Sequence, residues 1–344
     1  MMQPIIVGFG HCGRNLHLAS LRTLHRQGRL GNVDSSVIAV DPAVRVVLPE
    51  QVSQQRQLPD AASLSGKHGV VHVCTPPAMH LQHVRQALEA GYRCIILEKP
   101  MVMDPNECTQ LLALQARYQA RILVVSVWSH SQLVPRLMQW LHGREDRLRR
   151  VRVEHHKPRF SRTLARNDEH LFDIEMPHQV SLALLFAKGP RDAMQCAVQD
   201  LQLQGSLRPA MKSGSINWVD EHAIEVRLDS DLSSPVRQRS IRLELEDGHW
   251  CEGFFPVSAD DSYAQFRCST AVALDAFPDE PLTACLGRYY QHFSQYLAGN
   301  ADDAPLGSTL AFNQQVVALL DLARTAAAAA SSALPHDALA KEAI

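Results

Sequence analysis

Three groups of residues in this chain have the types and spacing that chemistry needs. The first is Gly8-Phe9-Gly10-His11-Cys12-Gly13, a Gly-x-Gly-x-x-Gly run. In such a run the first glycine permits a tight turn and the second lets a backbone approach a pyrophosphate. The third lets a helix pack closely on its strand. The helix that follows offers unpaired N–H groups and a positive dipole end to a phosphate. The second group is Glu98-Lys99-Pro100-Met101. Lys99 is a compact cationic donor suited to stabilising developing alkoxide charge, and Glu98 can orient and tune it. The third is His178, preceded by Asp173 and Glu175. An imidazole with an unperturbed pKa of about 6.5 exchanges a proton readily near neutrality. On a regular helix Glu175 lies one turn from His178 and Asp173 does not share their face, although Pro177 disturbs that geometry. A phosphate cradle, an ammonium and an acid/base are the parts that oxidation of an alcohol requires once a cofactor takes the hydride.

The elements that must position these residues alternate in the first part of the chain. Ile5–Val7, Val37–Val40, Val70–Cys74, Arg93–Leu97 and Arg121–Ser126 read as buried strands. Helices are expected over His11–Gln27, Ala78–Ala90 and Asp104–Gln119, the last with Asp104 as cap and Pro105 first. One short helix is expected within 44–68. This pattern predicts a doubly wound parallel sheet. In such sheets ligands bind at the carboxyl ends of the strands, which is where Lys99 falls. Asp41 ends the second strand 28 residues beyond Gly13, somewhat farther than the usual ~20. A carboxylate there accepts ribose hydroxyls and repels a 2′-phosphate, which favours NAD(H). Arg45 nearby leaves NADP(H) open. Asp41 also fits a plain strand-ending Asp-Pro turn.

After about residue 130 the pattern changes. Helices are expected at 132–141 and, broken near Pro177, over 168–186. Strand-like runs at 150–156, 197–203, 223–228, 240–245, 250–255 and 263–270 follow without crossover helices and suggest an antiparallel sheet. Two late helices, 282–297 and 309–330, are expected to return to the body. The division expected is a nucleotide-binding domain over 1–128, a substrate-binding and oligomerisation domain over 129–330 and a flexible tail over 331–344.

Composition narrows the classes further. Of the 344 residues 46% are hydrophobic and 20% charged, with a net charge of −2, so no global basic field points to nucleic acid or an anionic membrane. No apolar run reaches membrane-spanning length. The eight cysteines are scattered without a Cys-x-x-Cys pair. Buried thiols in a reducing cytoplasm are the expectation, rather than disulfides or zinc.

With the glycine run, the segments Thr75-Pro76-Pro77-Ala78-Met79-His80, Ala90-Gly91 and Glu98-Lys99-Pro100-Met101 resemble the Gfo/Idh/MocA oxidoreductases in order and spacing over roughly residues 3 to 130. The resemblance implies a Rossmann domain followed by an α+β domain with a large, open, mostly antiparallel sheet. It implies a nicotinamide cofactor, a small-molecule substrate such as a sugar or cyclitol, and a homodimer or homotetramer formed through that sheet. It places Gly8, Phe9, Gly10, His11, Cys12, Gly13, Asp41, Thr75, Pro76, His80, Glu98 and Lys99 at the cofactor. Pro100 is expected to follow a cis bond. Lys99 and His178 are the implied catalytic pair, with Asp173 or Glu175 assisting.

Two departures from the family pattern stand out. The family's Asp-x-Gly-x-His reads Asp173-Ile174-Glu175-Met176-Pro177-His178 here, which displaces both carboxylates by one position. The arginine often found near residues 127–132 is missing, leaving Trp128 and His130 as candidate substrate contacts, with core packing a strong competitor for Trp128. Asn167 and His170 are further candidates. Histidines 170 and 178 match no zinc spacing, so no metal is expected there. The departures keep a second chemistry open, reduction of a C=N bond as in a thiazolinyl imine reductase. A dinucleotide-binding regulator without catalysis is a third reading, which retention of Lys99 disfavours.

Overall fold

The computed structural model describes residues 1–43, 47–166, 169–258, 261–271, 273–300 and 303–332. Arg45, Asn167 and all but the first two residues of the expected tail lie outside the described residues. Two compact units form, one from residues 1–134 with 280–317, the other from 135–279 with the chain from 318 onward. This differs from the simple division expected at 128. The helix Pro281–Leu297 buries Tyr289, Tyr290 and Phe293 in the first unit, against Ile6, Leu21 and Ile96. A return of the late helices to the body is expected from the sequence; which unit receives this one is what chain order alone does not reveal.

The first unit is built on six parallel strands. These are β1 (Met2–Val7), β2 (Val37–Val40), β3 (Val52–Gln55), β4 (His68–Val73), β5 (Cys94–Leu97) and β6 (Arg121–Val124). They lie in the order β3-β2-β1-β4-β5-β6. Every residue of β1 and β5 is buried, because helices cover both faces. Side chains alternate accordingly. Ile5, Val7, Val73 and Leu97 meet Val84, Leu88 and Leu111 on one face, while Ile6 and Ile96 meet Leu18 and Leu21 on the other. Asp104 caps the helix Pro105–Arg117 as its sequence implies, accepting from the Asn106 N–H at 2.8 Å.

The second unit holds eight strands: β7 (Leu148–His156), β8 (Gln195–Leu203), β9 (Ser206–Val219), β10 (Glu225–Asp231), β11 (Gln238–Leu245), β12 (Trp250–Phe254), β13 (Tyr263–Cys268) and β14 (Asp275–Pro278). Their order is β14-β13-β12-β11-β7-β10-β9-β8, with β7 and β10 parallel and the other neighbours antiparallel. Three strands escape the sequence pattern. β3 and β14 are short edge strands, and β9 is polar and interrupted by Pro209 and Gly214. The β8–β9 turn did carry a signal, since Gln204 and Gly205 both take positive φ (48° and 78°), as a two-residue hairpin turn requires. The helix Met176–Ala183 is stapled to the sheet by Gln179, whose amide donates to the carbonyls of Val153 (3.3 Å) and Asp229 (2.7 Å). Among the described residues no helix is long and apolar enough to cross a membrane.

Candidate active site

The strand order of the first unit reverses between β1 and β4, which opens a crevice at their carboxyl ends. The three glycines border it, each for a different reason. Gly8 turns with φ +88°, and a Cβ there would fall 2.8–2.9 Å from Thr75 and Cys74. A Cβ on Gly13 would lie 2.3 Å from the Gly8 carbonyl oxygen and 2.7 Å from Ile6. Gly10 has nothing within 4 Å of its missing Cβ, which leaves room for a pyrophosphate. The cleft, of about 650 Å³, is lined by Gly8, Gly10, Asp41, Arg56, Thr75 and Pro76 among others. His11–His17 winds as a π-helix away from it, and His11 is exposed.

Asp41 holds the turn as well as facing the cleft. Its carboxylate accepts from the N–H of Phe9 and of Ala43, each at 2.9 Å. Each oxygen keeps a further lone pair for a ribose hydroxyl. Asp41→Ala is therefore expected to weaken NAD binding tenfold or more, since a hydrogen bond to a charged group contributes about 1.5–3 kcal/mol. It should also narrow the preference for NAD over NADP. Calorimetric titration with both dinucleotides checks this, and an unchanged ratio would place the ribose elsewhere.

Lys99 is half-buried just past β5, and its bond to Pro100 is cis. Its backbone N–H donates to Glu98 Oε2 at 3.1 Å. The other oxygen of Glu98 lies 2.8 Å from His17 Nε2. From there a buried chain runs inward. His17 Nδ1 is 2.8 Å from His72 Nδ1, and His72 Nε2 is 2.8 Å from the Tyr290 hydroxyl. Burial pulls the His17 pKa down, but hydrogen bonds with Cys12 and Glu98 and the Glu98 charge outweigh it and raise the value to about 9. Burial likewise opposes ionisation of Glu98, and His17 more than offsets this, so its carboxyl sits below the usual range. Glu98 thus looks inward to His17 as well as toward Lys99, a partnership that nothing in the spacing of residues 17, 72, 98 and 290 announces.

The Thr75 segment is held from beneath. Thr75 Oγ1 bonds His83 Nδ1 at 3.1 Å, and Thr75 and Pro76 line the cleft. His80 is fully buried, with its ring nitrogens 2.9 Å from the Thr75 carbonyl and 3.1 Å from the Met101 carbonyl. It fixes two loops rather than facing a ligand.

Trp128 is half-buried, whereas His130 is fully buried. Its Nδ1 accepts from Arg288 at 3.3 Å, and its ring stands edge-on to Tyr289 at 5.3 Å. Burial first, then the Arg288 charge, push its pKa from 6.5 down to about 3. The unfolded chain thus takes up a proton that the folded chain refuses. Stability should fall as pH drops from about 6.5 toward about 3, by up to about 1.4 kcal/mol per pH unit from this group. His130→Phe is expected to flatten that slope in urea unfolding measured across pH. A slope unaltered by the substitution would contradict the assignment.

In the second unit the expected acid/base segment breaks into the helices Leu171–Ile174 and Met176–Ala183 at Glu175. His178 is half-buried. Glu175 is buried, ion-paired with Lys157, and accepts from His155 Nδ1–H at 3.1 Å. Arg239 donates to the far nitrogen of His155 at 2.7 Å. Asp173 pairs with Arg324; burial raises its carboxyl pKa more than Arg324 lowers it. His170 caps the helix Leu171–Ile174, accepting from Phe172 N–H at 3.1 Å, and packs edge-on to the Phe172 ring. Nothing in the spacing of residues 155, 157, 175 and 239 marks this group, since Arg239 reaches it through the pairing of β11 with β7.

Comparison with known proteins agrees with this geometry. Residues 2–126 match the family described as the oxidoreductase family with the NAD-binding Rossmann fold, Gfo/Idh/MocA. No curated protein matches the sequence significantly. Solved structures share the fold over nearly the whole chain. A UDP-N-acetylglucosamine 3-dehydrogenase from Acidithiobacillus ferrooxidans is 16% identical, with 96% of this chain and 99% of that one covered and a TM-score of 0.72. A variant of a 3-ketoreductase from Actinomadura kijaniata, solved with TDP-benzene and NADP, is 12% identical over 95% and 98% of the two chains, with a TM-score of 0.72. A protein of gentamicin A biosynthesis solved with NAD is 17% identical over 95% and 94%, with a TM-score of 0.69. The nucleotide-binding region, residues 2–126, matches the Gfo/Idh/MocA family of NAD-binding oxidoreductases.

Proposed function

We propose that this oxidoreductase transfers a hydride between a nicotinamide dinucleotide and a secondary alcohol or ketone of a sugar-like, polyhydroxylated small molecule. The observation that carries the reading is the open space at Gly10 beside Asp41, in the region that matches the NAD-binding family. The dinucleotide, when bound, accepts or delivers the hydride. Gly10 makes room for its pyrophosphate, and Asp41 holds its ribose. Lys99 is assigned to stabilise the oxygen as charge develops, and His178 to exchange the proton. One protein of the same fold is described as a UDP-N-acetylglucosamine 3-dehydrogenase and another as a 3-ketoreductase solved with TDP-benzene, which supports the substrate class. The eight-stranded sheet is the proposed self-association surface.

The displaced carboxylates near His178 favour keeping a second substrate class in the test. Asp173 is engaged by Arg324, and Glu175 by Lys157 and His155. Purified protein with NADH or NADPH should be offered keto-sugars and keto-inositols alongside cyclic imines, following nicotinamide absorbance. Turnover of keto-sugars is the expected result; turnover of imines alone would replace this reading with the C=N one. His178→Ala is expected to lower the rate of reduction about 10²-fold, the low end for a positioned proton donor. An unchanged rate would remove His178 from the mechanism.

A further inference from the structure

We infer that Cys12, Cys74 and His17, with Glu98 closing the set, form a binding site for a zinc-class divalent metal ion at the carboxyl ends of β1 and β4. One ligand atom from each of Cys12, His17 and Cys74 lies within 4.8 Å of the other two. Glu98 Oε1 stands 2.8 Å from His17 Nε2. Two thiolates, an imidazole and a carboxylate are a donor set that a tetrahedral zinc ion accepts. With bonds of about 2.0–2.3 Å such an ion holds its ligand atoms roughly 3.3–3.8 Å apart, so movements of about 1 Å or less close the set. The ion would replace the proton that His17 and Glu98 share.

The surroundings fit a ligating imidazole. Such a histidine donates its other ring N–H to a partner that fixes its orientation. His17 Nδ1 has that partner in His72 Nδ1 at 2.8 Å, and His72 in turn reaches Tyr290 at 2.8 Å. His17 and His72 are both fully buried, so the ring is held before any ion arrives. Sequence spacing hides the set, since Cys12 and His17 lie in the helix that follows β1 whereas Cys74 directly follows β4. None of the eight cysteines is disulfide-bonded, which leaves both sulfurs available as ligands.

Metal uptake is read without substrate, so its failure leaves the hydride-transfer reading untouched. The full chain is stripped with a chelator under a phosphine reductant. Zinc alone is then titrated against a chromophoric competitor, and cobalt(II) is substituted as a spectroscopic probe. One equivalent per chain is expected, with a sulfur-to-cobalt charge-transfer band and tetrahedral ligand-field bands. Cys12→Ser and Cys74→Ser should each weaken zinc binding by about 100-fold or more, while Cys108→Ser, a buried thiol elsewhere in the first unit, should not. Absence of tight zinc binding by the reduced wild-type chain would overturn the site. So would cobalt bands without thiolate character, a result that needs no variant to fold.

Discussion

Replacing Lys99 with alanine is expected to lower turnover by about 10³-fold, the upper end of the roughly 10²–10³ that loss of one oxyanion-stabilising donor costs. Dinucleotide affinity stays within a few-fold. The split follows from where the residue's two ends sit. Its backbone N–H bonds Glu98, a contact that alanine keeps. Its side chain carries the ammonium, which alanine removes. The glycine turn and Asp41, which are proposed to hold the dinucleotide, do not depend on that ammonium. Single-turnover kinetics together with calorimetry separate the two effects. Near-normal turnover would reject the assigned role, and a parallel loss of affinity would make Lys99 a binding residue instead.

The second large effect contrasts two glycines three residues apart. Gly13→Ala forces a methyl to within 2.3 Å of the Gly8 carbonyl oxygen and 2.7 Å of Ile6, so helix and strand must separate. Overpacking of this kind costs about 1–3 kcal/mol, or more where backbone is the obstacle. Gly13→Ala is expected to lower the unfolding midpoint and dinucleotide affinity together. Gly10→Ala meets nothing within 4 Å. It should fold with an unchanged midpoint and lose dinucleotide affinity, because the methyl occupies the space of the pyrophosphate. Thermal unfolding and titration of the two variants read this directly. A Gly10→Ala protein that binds normally would mean the pyrophosphate lies elsewhere.

The parallel sheet and its crevice were legible because local signals and packing agree there. Apolar runs of strand length alternate with capped helices, and the glycine run demands one backbone shape. The strands β3 and β9 were not legible. Val52–Gln55 and Ser206–Val219 are polar, and pairing with β2 in the one case and with β8 and β10 in the other makes them strands. The same distinction separates the site residues. Gly10, Asp41 and Lys99 sit where strand ends put them, and strand ends can be read from sequence. The environments of Glu98 and Glu175 come from His17, Lys157 and His155, which tertiary packing brings to them. His170 drew attention as a polar residue near the expected cleft and His80 through the family resemblance, yet one caps a helix and the other ties two loops. A side chain's partners decide between such roles, and sequence spacing leaves those partners open.

The central claim is that a nicotinamide dinucleotide lies across the first glycine turn. Titration of the purified chain with NADH, followed by calorimetry, tests it most directly. One molecule bound per chain, with affinity lost in Gly10→Ala while the fold persists, is the predicted result. No heat of binding with NADH, NAD, NADPH or NADP would contradict it.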